Sequence, residues 1–141
     1  MHLPDEVKSI VRERARSRCE YCHSQEAFSP SGFSVEHIIP RSAGGGNEAE
    51  NLALSCQECN NRKFTATTAR DPLSGEIIRL FHPRQARWGD HFAWSEDFTL
   101  VIGLTGTGRA TIEKLKLNRT NVVKLRRVLY ITGDHPLLEE E

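Results

Sequence analysis

Four cysteines in two pairs constrain this chain more than any other feature. Cys19 and Cys22 form one C-x-x-C, Cys56 and Cys59 form the other, and there is no spare cysteine. Two such knuckles are the usual signature of one tetrahedral zinc site. About 33 residues separate them, more than the roughly 15–20 of the common template. An inserted element between the knuckles is therefore expected, not a different ligand set. Free buried thiols or a redox pair are the alternatives, and a reducing compartment disfavours a disulfide. His23, beside Cys22, is a substitute ligand in principle, but four thiolates already close the shell. A closed shell braces a fold and leaves no open position, so any chemistry has to come from other residues.

With 141 residues the chain suits one globular domain, or a small module with an extension. Its 19 basic and 19 acidic residues cancel, which argues against strong long-range attraction to nucleic acid. Charge is nevertheless separated locally. Arg109, Lys114, Lys116, Arg119, Lys124, Arg126 and Arg127 are opposed only by Glu113, and the chain ends in three glutamates. No apolar run approaches the roughly 20 residues of a membrane span. The first residues, MHLPDEVKSIVRER, are charged and lack the apolar stretch of a secretory signal, so the expected compartment is the cytoplasm.

Val7, Ile10, Val11 and Ala15 recur at helical spacing and predict a helix over 4–18, delivering the chain to Cys19. Residues 28–32 are turn-rich. A short strand is expected over 33–39, stopped by Pro40, and a second over 52–54. Between them Gly44, Gly45, Gly46 and Asn47 make a loop, and a helix is expected to begin after Cys56. The core is then strand, loop, strand, helix, pinned at the knuckles. Beyond it, a strand is expected over 77–81, a hairpin turning at residues 95–97, and two amphipathic helices over 107–117 and 121–130. A boundary near Arg70 divides a 1–70 domain from a 71–141 extension, although the second half is equally able to pack on the first. The fold class is α+β.

The span from 35 to 63, VEHIIPRSAGGGNEAENLALSCQECNNRK, collects the polar chemistry. Glu36 and His37 are adjacent, so a regular strand sends them to opposite faces, whereas a strand end or bulge lets both reach one site. A carboxylate and an amide oxygen, from Glu36 and Asn60, are hard ligands suited to Mg²⁺ or Mn²⁺. A neutral histidine beside such a metal can take a proton from water. Arg62 and Lys63, one turn on, are placed to meet phosphate, and Arg41 is a further candidate contact.

In order and spacing, Glu36-His37-Ile38-Ile39-Pro40, Gly44-Gly45, Asn51-Leu52 and Cys56-x-x-Cys59-Asn60-x-x-Lys63 resemble the HNH endonuclease family. The likeness is to its zinc-containing branch, with a ββα-metal site braced by two knuckles, and it covers about a third of the chain. The resemblance implies that His37 is the general base that activates water and that Asn51 fixes the loop and so orients it. It implies Asn60 and Glu36 as protein ligands of a catalytic divalent metal, and Cys19, Cys22, Cys56 and Cys59 as the structural zinc ligands. This chain is an H-N-N variant and carries glutamate where aspartate is common.

Each residue also has a plainer reading. His37 is otherwise a structural histidine, Asn51 a turn cap, Asn60 a helix cap, Glu36 a solvated strand residue and Arg41 an ordinary exposed arginine. The glycine run lacks the strand-to-helix context of a phosphate cradle. In the second half, His82, Arg84, Arg87, Trp88 and His91 either grip nucleic acid or form an aromatic mini-core. The expectation is a metal-dependent nuclease acting on DNA, with RNA open. Its neutral charge leaves weak binding alone, a homodimer or a targeting protein as routes to the substrate. The rival is a non-catalytic zinc module that binds nucleic acid.

Overall fold

The computed structural model describes residues 3–137. Helix α1 (Asp5–Arg14) follows Pro4, with Asp5 and Glu6 in its first turn and Arg12 and Arg14 in its last, both complementing the helix dipole. Val11 is fully buried and Ala15 nearly so, while Ile10 faces water, so the apolar stripe is narrower than its spacing implies. The helix stops short of residue 18 because Arg16 and Ser17 take φ of 58° and 54°. Those left-handed residues reverse the chain into the first knuckle.

Strands β1 (Ser34–His37) and β2 (Leu52–Ser55) pair antiparallel, with Glu36 opposite Ala53 and His37 opposite Leu52. Every residue of β2 is buried. The first knuckle is sewn to β2 by Glu20, whose N–H donates to the Leu54 carbonyl at 2.9 Å. The Glu20 carboxylate accepts the Leu54 N–H at 2.8 Å. Helix α2 (Gln57–Lys63) starts at Cys56, whose sulfur accepts the Cys59 N–H at 3.4 Å. The expected strand, loop, strand and helix are thus all present, with β1 shorter than expected and β2 one residue longer.

The second half contributes β3 (Thr68–Arg70), β4 (Ile77–Arg79), α3 (Trp88–His91), β5 (Phe92–Trp94), β6 (Val101–Gly103), α4 (Gly106–Leu115) and α5 (Thr120–Ile131). The expected hairpin is β5–β6 and the two expected helices are α4 and α5. Strand β3, paired with β4, is an addition that its polar sequence did not signal. Asp71, at the turn of that hairpin, receives a two-pronged bond from Arg109 of α4 at 3.0 and 2.9 Å.

One apolar cluster joins Val11, Leu52 and Leu54 to Phe81, Phe92, Leu115 and Leu117, so the core runs across residue 70. No helix among the described residues is long and apolar enough to cross a membrane. The terminal glutamates, 139–141, lie outside the described residues.

Candidate active site and cysteine centre

The Sγ atoms of Cys19, Cys22, Cys56 and Cys59 lie within 4.8 Å of one another and all four residues are buried. The Cys22 and Cys56 sulfurs are 3.7 Å apart. A tetrahedron with Zn–S bonds of about 2.3 Å has an edge of about 3.8 Å, so the donor set fits one zinc ion. Burial pushes the Cys19 thiol well up, and sulfurs this close cannot all ionise unless a cation lies among them. His23 is not part of the cluster. Its ring stacks on Trp88 with centroids 4.1 Å apart, and burial holds its imidazole well below the usual range.

A guanidinium lies against the sulfurs. Arg119, just before α5, donates from Nη1 to Cys59 Sγ at 3.3 Å and from Nη2 to Cys56 Sγ at 3.6 Å. Arg126, one helical stretch on, is buried and donates to the Cys22 carbonyl at 3.1 Å while stacking over Trp94. Two members of the expected basic patch therefore face inward, and Arg109 is spent on Asp71. The aromatic stretch around Trp88 forms a packed cluster with His23, Phe92, Trp94 and His135. That is the mini-core arrangement. A cleft of about 980 Å³ beside it, lined by Arg14, Arg18, His23, Arg87, Trp88 and Trp94, includes none of the expected site residues.

His37 ends β1 half-buried, and its Nε2 lies 2.7 Å from Asn47 Oδ1. An amide oxygen only accepts, so this bond requires a proton on Nε2 and leaves the lone pair of the neutral ring on Nδ1. The sequence places Asn47 only in a loop. Its link to His37 spans the glycine run and leaves no local signature.

Asn51 bridges the two ends of that loop. Its Oδ1 accepts the Ile39 N–H at 2.9 Å, and its Nδ2 donates to the Ile39 carbonyl at 2.9 Å and the Gly46 carbonyl at 2.8 Å. Gly45 permits this closure, since a Cβ there would lie 1.8 Å from the Ile39 carbonyl oxygen and 2.7 Å from Asn51 Nδ2. The loop carrying Asn47 is thereby fixed relative to the strand end carrying His37.

Glu36 points the other way. Strand alternation buries it opposite His37, where Oε2 meets Lys63 Nζ at 3.6 Å and Oε1 has no hydrogen-bond partner. Burial raises its carboxyl above the usual range, against the pull of Lys63. Lys63 departs from the sequence expectation. Only 2% exposed, it donates to the Ile38 carbonyl at 2.9 Å and reaches the His37 carbonyl at 3.5 Å, so it braces β1 and is not open to phosphate. Its position three residues after Asn60 in α2 puts both on one side of the helix. Asn60 is half-buried there. Glu36 Oε1 and the Asn60 amide are hard oxygen donors of the kind a divalent cation takes, but Glu36 faces Lys63 on the side of β1 away from His37, so the expected base and the expected carboxylate ligand do not meet at one point. Arg41 is exposed in a single 3₁₀ turn directly after Pro40.

Phe64 terminates α2 in an unusual conformation, φ 48° and ψ −118°. The Ala66 N–H donates to the Lys63 carbonyl at 2.9 Å, which closes a four-residue turn with Phe64 second. These are the angles of a type II′ turn, whose second position is dominated by glycine. A phenylalanine there costs on the order of 1–3 kcal/mol, yet its ring is 76% exposed. Nothing in the sequence pattern singled it out.

No curated protein and no solved structure matches the chain. Residues 19–65 match the sequence model of the family described as HNH endonuclease. That segment holds both knuckles, β1, the loop, β2 and α2, and through it the chain carries an HNH domain.

Proposed function

We propose that the protein is a metal-dependent endonuclease that hydrolyses DNA phosphodiester bonds. The observation that carries this reading is the oriented imidazole of His37. Asn47 holds the proton on Nε2, and Asn51 with Gly45 holds Asn47 in place. A structural zinc module has no need of such an arrangement. Nδ1 then accepts a proton from a water molecule, and the resulting hydroxide attacks phosphorus in line with the leaving oxygen. Arg41 meets a phosphate of the backbone. Glu36 and Asn60 would hold Mg²⁺ or Mn²⁺ once the Glu36 carboxylate turns from Lys63 toward the face of β1 that carries His37, and the ion when bound would supply Lewis-acid stabilisation of the charge that develops on the phosphate and the leaving oxygen. The four cysteines would hold a structural zinc ion.

Plasmid nicking by the purified protein tests the reading. Conversion of supercoiled to open-circle or linear DNA in Mg²⁺ or Mn²⁺, abolished by EDTA under conditions that leave zinc bound, supports it. A protein that binds DNA and zinc but cuts nothing in any divalent metal would be a nucleic-acid-binding module instead.

A further inference from the structure

Phe64 combines three features that oppose stability. It occupies a turn position suited to glycine, its ring is the most exposed aromatic among the described residues, and it belongs to neither the core cluster nor any aromatic pair. A fold gains nothing from such a residue in isolation, and a local conflict of this kind points to a function. Its location narrows what that function is. The Phe64 N–H donates to the Asn60 carbonyl at 2.9 Å, so the ring stands one helical turn beyond Asn60. Lys63, its neighbour, is bonded to the carbonyls of His37 and Ile38. The backbone that carries the ring is therefore tied, through Lys63, to the strand that carries His37.

Its surroundings are polar and charged, with Arg62 paired to Glu58 at 3.7 Å. Asn61, Arg62 and Thr65 are exposed on either side, and exposed Arg79 lies across from Thr68 in the β3–β4 hairpin that follows. Exposed Ile77 shares the hairpin face with Arg79, so the apolar groups here are interrupted by charge, whereas a protein interface needs a contiguous apolar patch. The ring suits a ligand whose interior is stacked and flat and whose rim is anionic. Duplex DNA is such a ligand, and apolar side chains do enter base steps, partly unstacking them. The turn leaves the ring few backbone alternatives, so little ordering is lost on binding.

We infer that Phe64 inserts between neighbouring base pairs of duplex DNA, at a step beside the phosphodiester presented to His37, and opens that step. The inference rests on the nuclease reading for its location, but its readout does not depend on cleavage.

The test uses duplexes carrying 2-aminopurine at successive positions, whose fluorescence rises when a base unstacks, with full-length His37→Ala protein in Mg²⁺. Protein with Phe64 should raise the signal several-fold at one step, and His37→Ala/Phe64→Gly should not. In an otherwise unaltered chain, Phe64→Gly should slow nicking about tenfold to a hundredfold, the worth of one base–aromatic stack. Glycine is at ease in the turn, so this loss comes without loss of fold or zinc. Phe64→Leu, which keeps an apolar wedge, should retain part of both signals. Equal fluorescence and equal nicking with glycine overturn the inference, as does a Phe64-dependent signal seen only on single strands. If the step opens but no variant cuts DNA, the wedge stands and the nuclease reading falls. If the protein with Phe64 neither opens nor cuts the duplex, both fall.

Discussion

Arg119 Nη1 donates to the sulfur of Cys59 at 3.3 Å across 60 residues of sequence. A tetrathiolate zinc site carries net negative charge, and a buried guanidinium beside it offsets that charge while its N–H groups orient the sulfurs. The C-terminal helices thus complete the cysteine centre of the HNH domain. Arg119→Met should speed zinc transfer to a chromophoric chelator, lowering affinity by about tenfold to a hundredfold. Arg119→Lys should recover part of the loss, because it restores charge without the fork of donors. Unchanged zinc transfer in Arg119→Met would remove the centre's dependence on the extension.

Asn51 makes three bonds that close the loop between β1 and β2. Asn51→Ala should cost about 1–3 kcal/mol in urea unfolding, the worth of the lost bonds and the carbonyl left unpaired. Nicking should fall further than stability explains. Gly45→Ala should do the same by steric means, since its Cβ has no room beside Ile39. Either variant with full nicking would separate the loop from catalysis.

Asn47→Ala frees the His37 ring from its 2.7 Å partner. Nicking should drop about tenfold or more with zinc content and fold intact, since orienting a catalytic base is worth factors of that order. A variant that cuts at the rate of the unaltered chain would show that another group sets the orientation of the base.

Arg109 holds the Asp71 carboxyl well below its ordinary value of 3.8. The folded value is the lower one, so the pair stabilises the chain above the unfolded value, and this contribution is lost as pH falls toward the folded value. Asp71→Asn should lower the urea midpoint near neutral pH, with the gap to the unaltered chain narrowing below about pH 4. A gap that persists undiminished in acid would mean that the carboxylate's hydrogen bonds to Leu73 and Ser74, not its charge, do the stabilising.

What the sequence made legible was local. The knuckles, the two strands, the α2 start and the order of the later hairpin and helices follow from spacing and turn residues within a few positions. The side chains that matter across distance were not legible. Lys63 reads as a phosphate contact because helical spacing places it near Asn60, but only the packing of α2 on β1 shows that its ammonium is consumed by backbone carbonyls. Glu36 and His37 are neighbours in sequence and diverge in space, as strand alternation requires. Arg119 and Arg126 read as a surface patch because their partners, the sulfurs and the Cys22 carbonyl, lie in the other half of the chain. Phe64 reads as an ordinary residue because a backbone angle leaves no mark in a hydrophobic pattern.

The central claim is that His37 acts as the base in cutting DNA, and it is tested most directly by comparing nicking by the unaltered chain and His37→Ala in Mg²⁺ or Mn²⁺. Zinc content and unfolding midpoint should be measured on the same samples. The account predicts that the variant keeps its zinc and its midpoint and loses nicking by at least about a hundredfold, the usual scale of general-base catalysis. A variant that is equally folded and zinc-loaded and still nicks at the rate of the unaltered chain would contradict it.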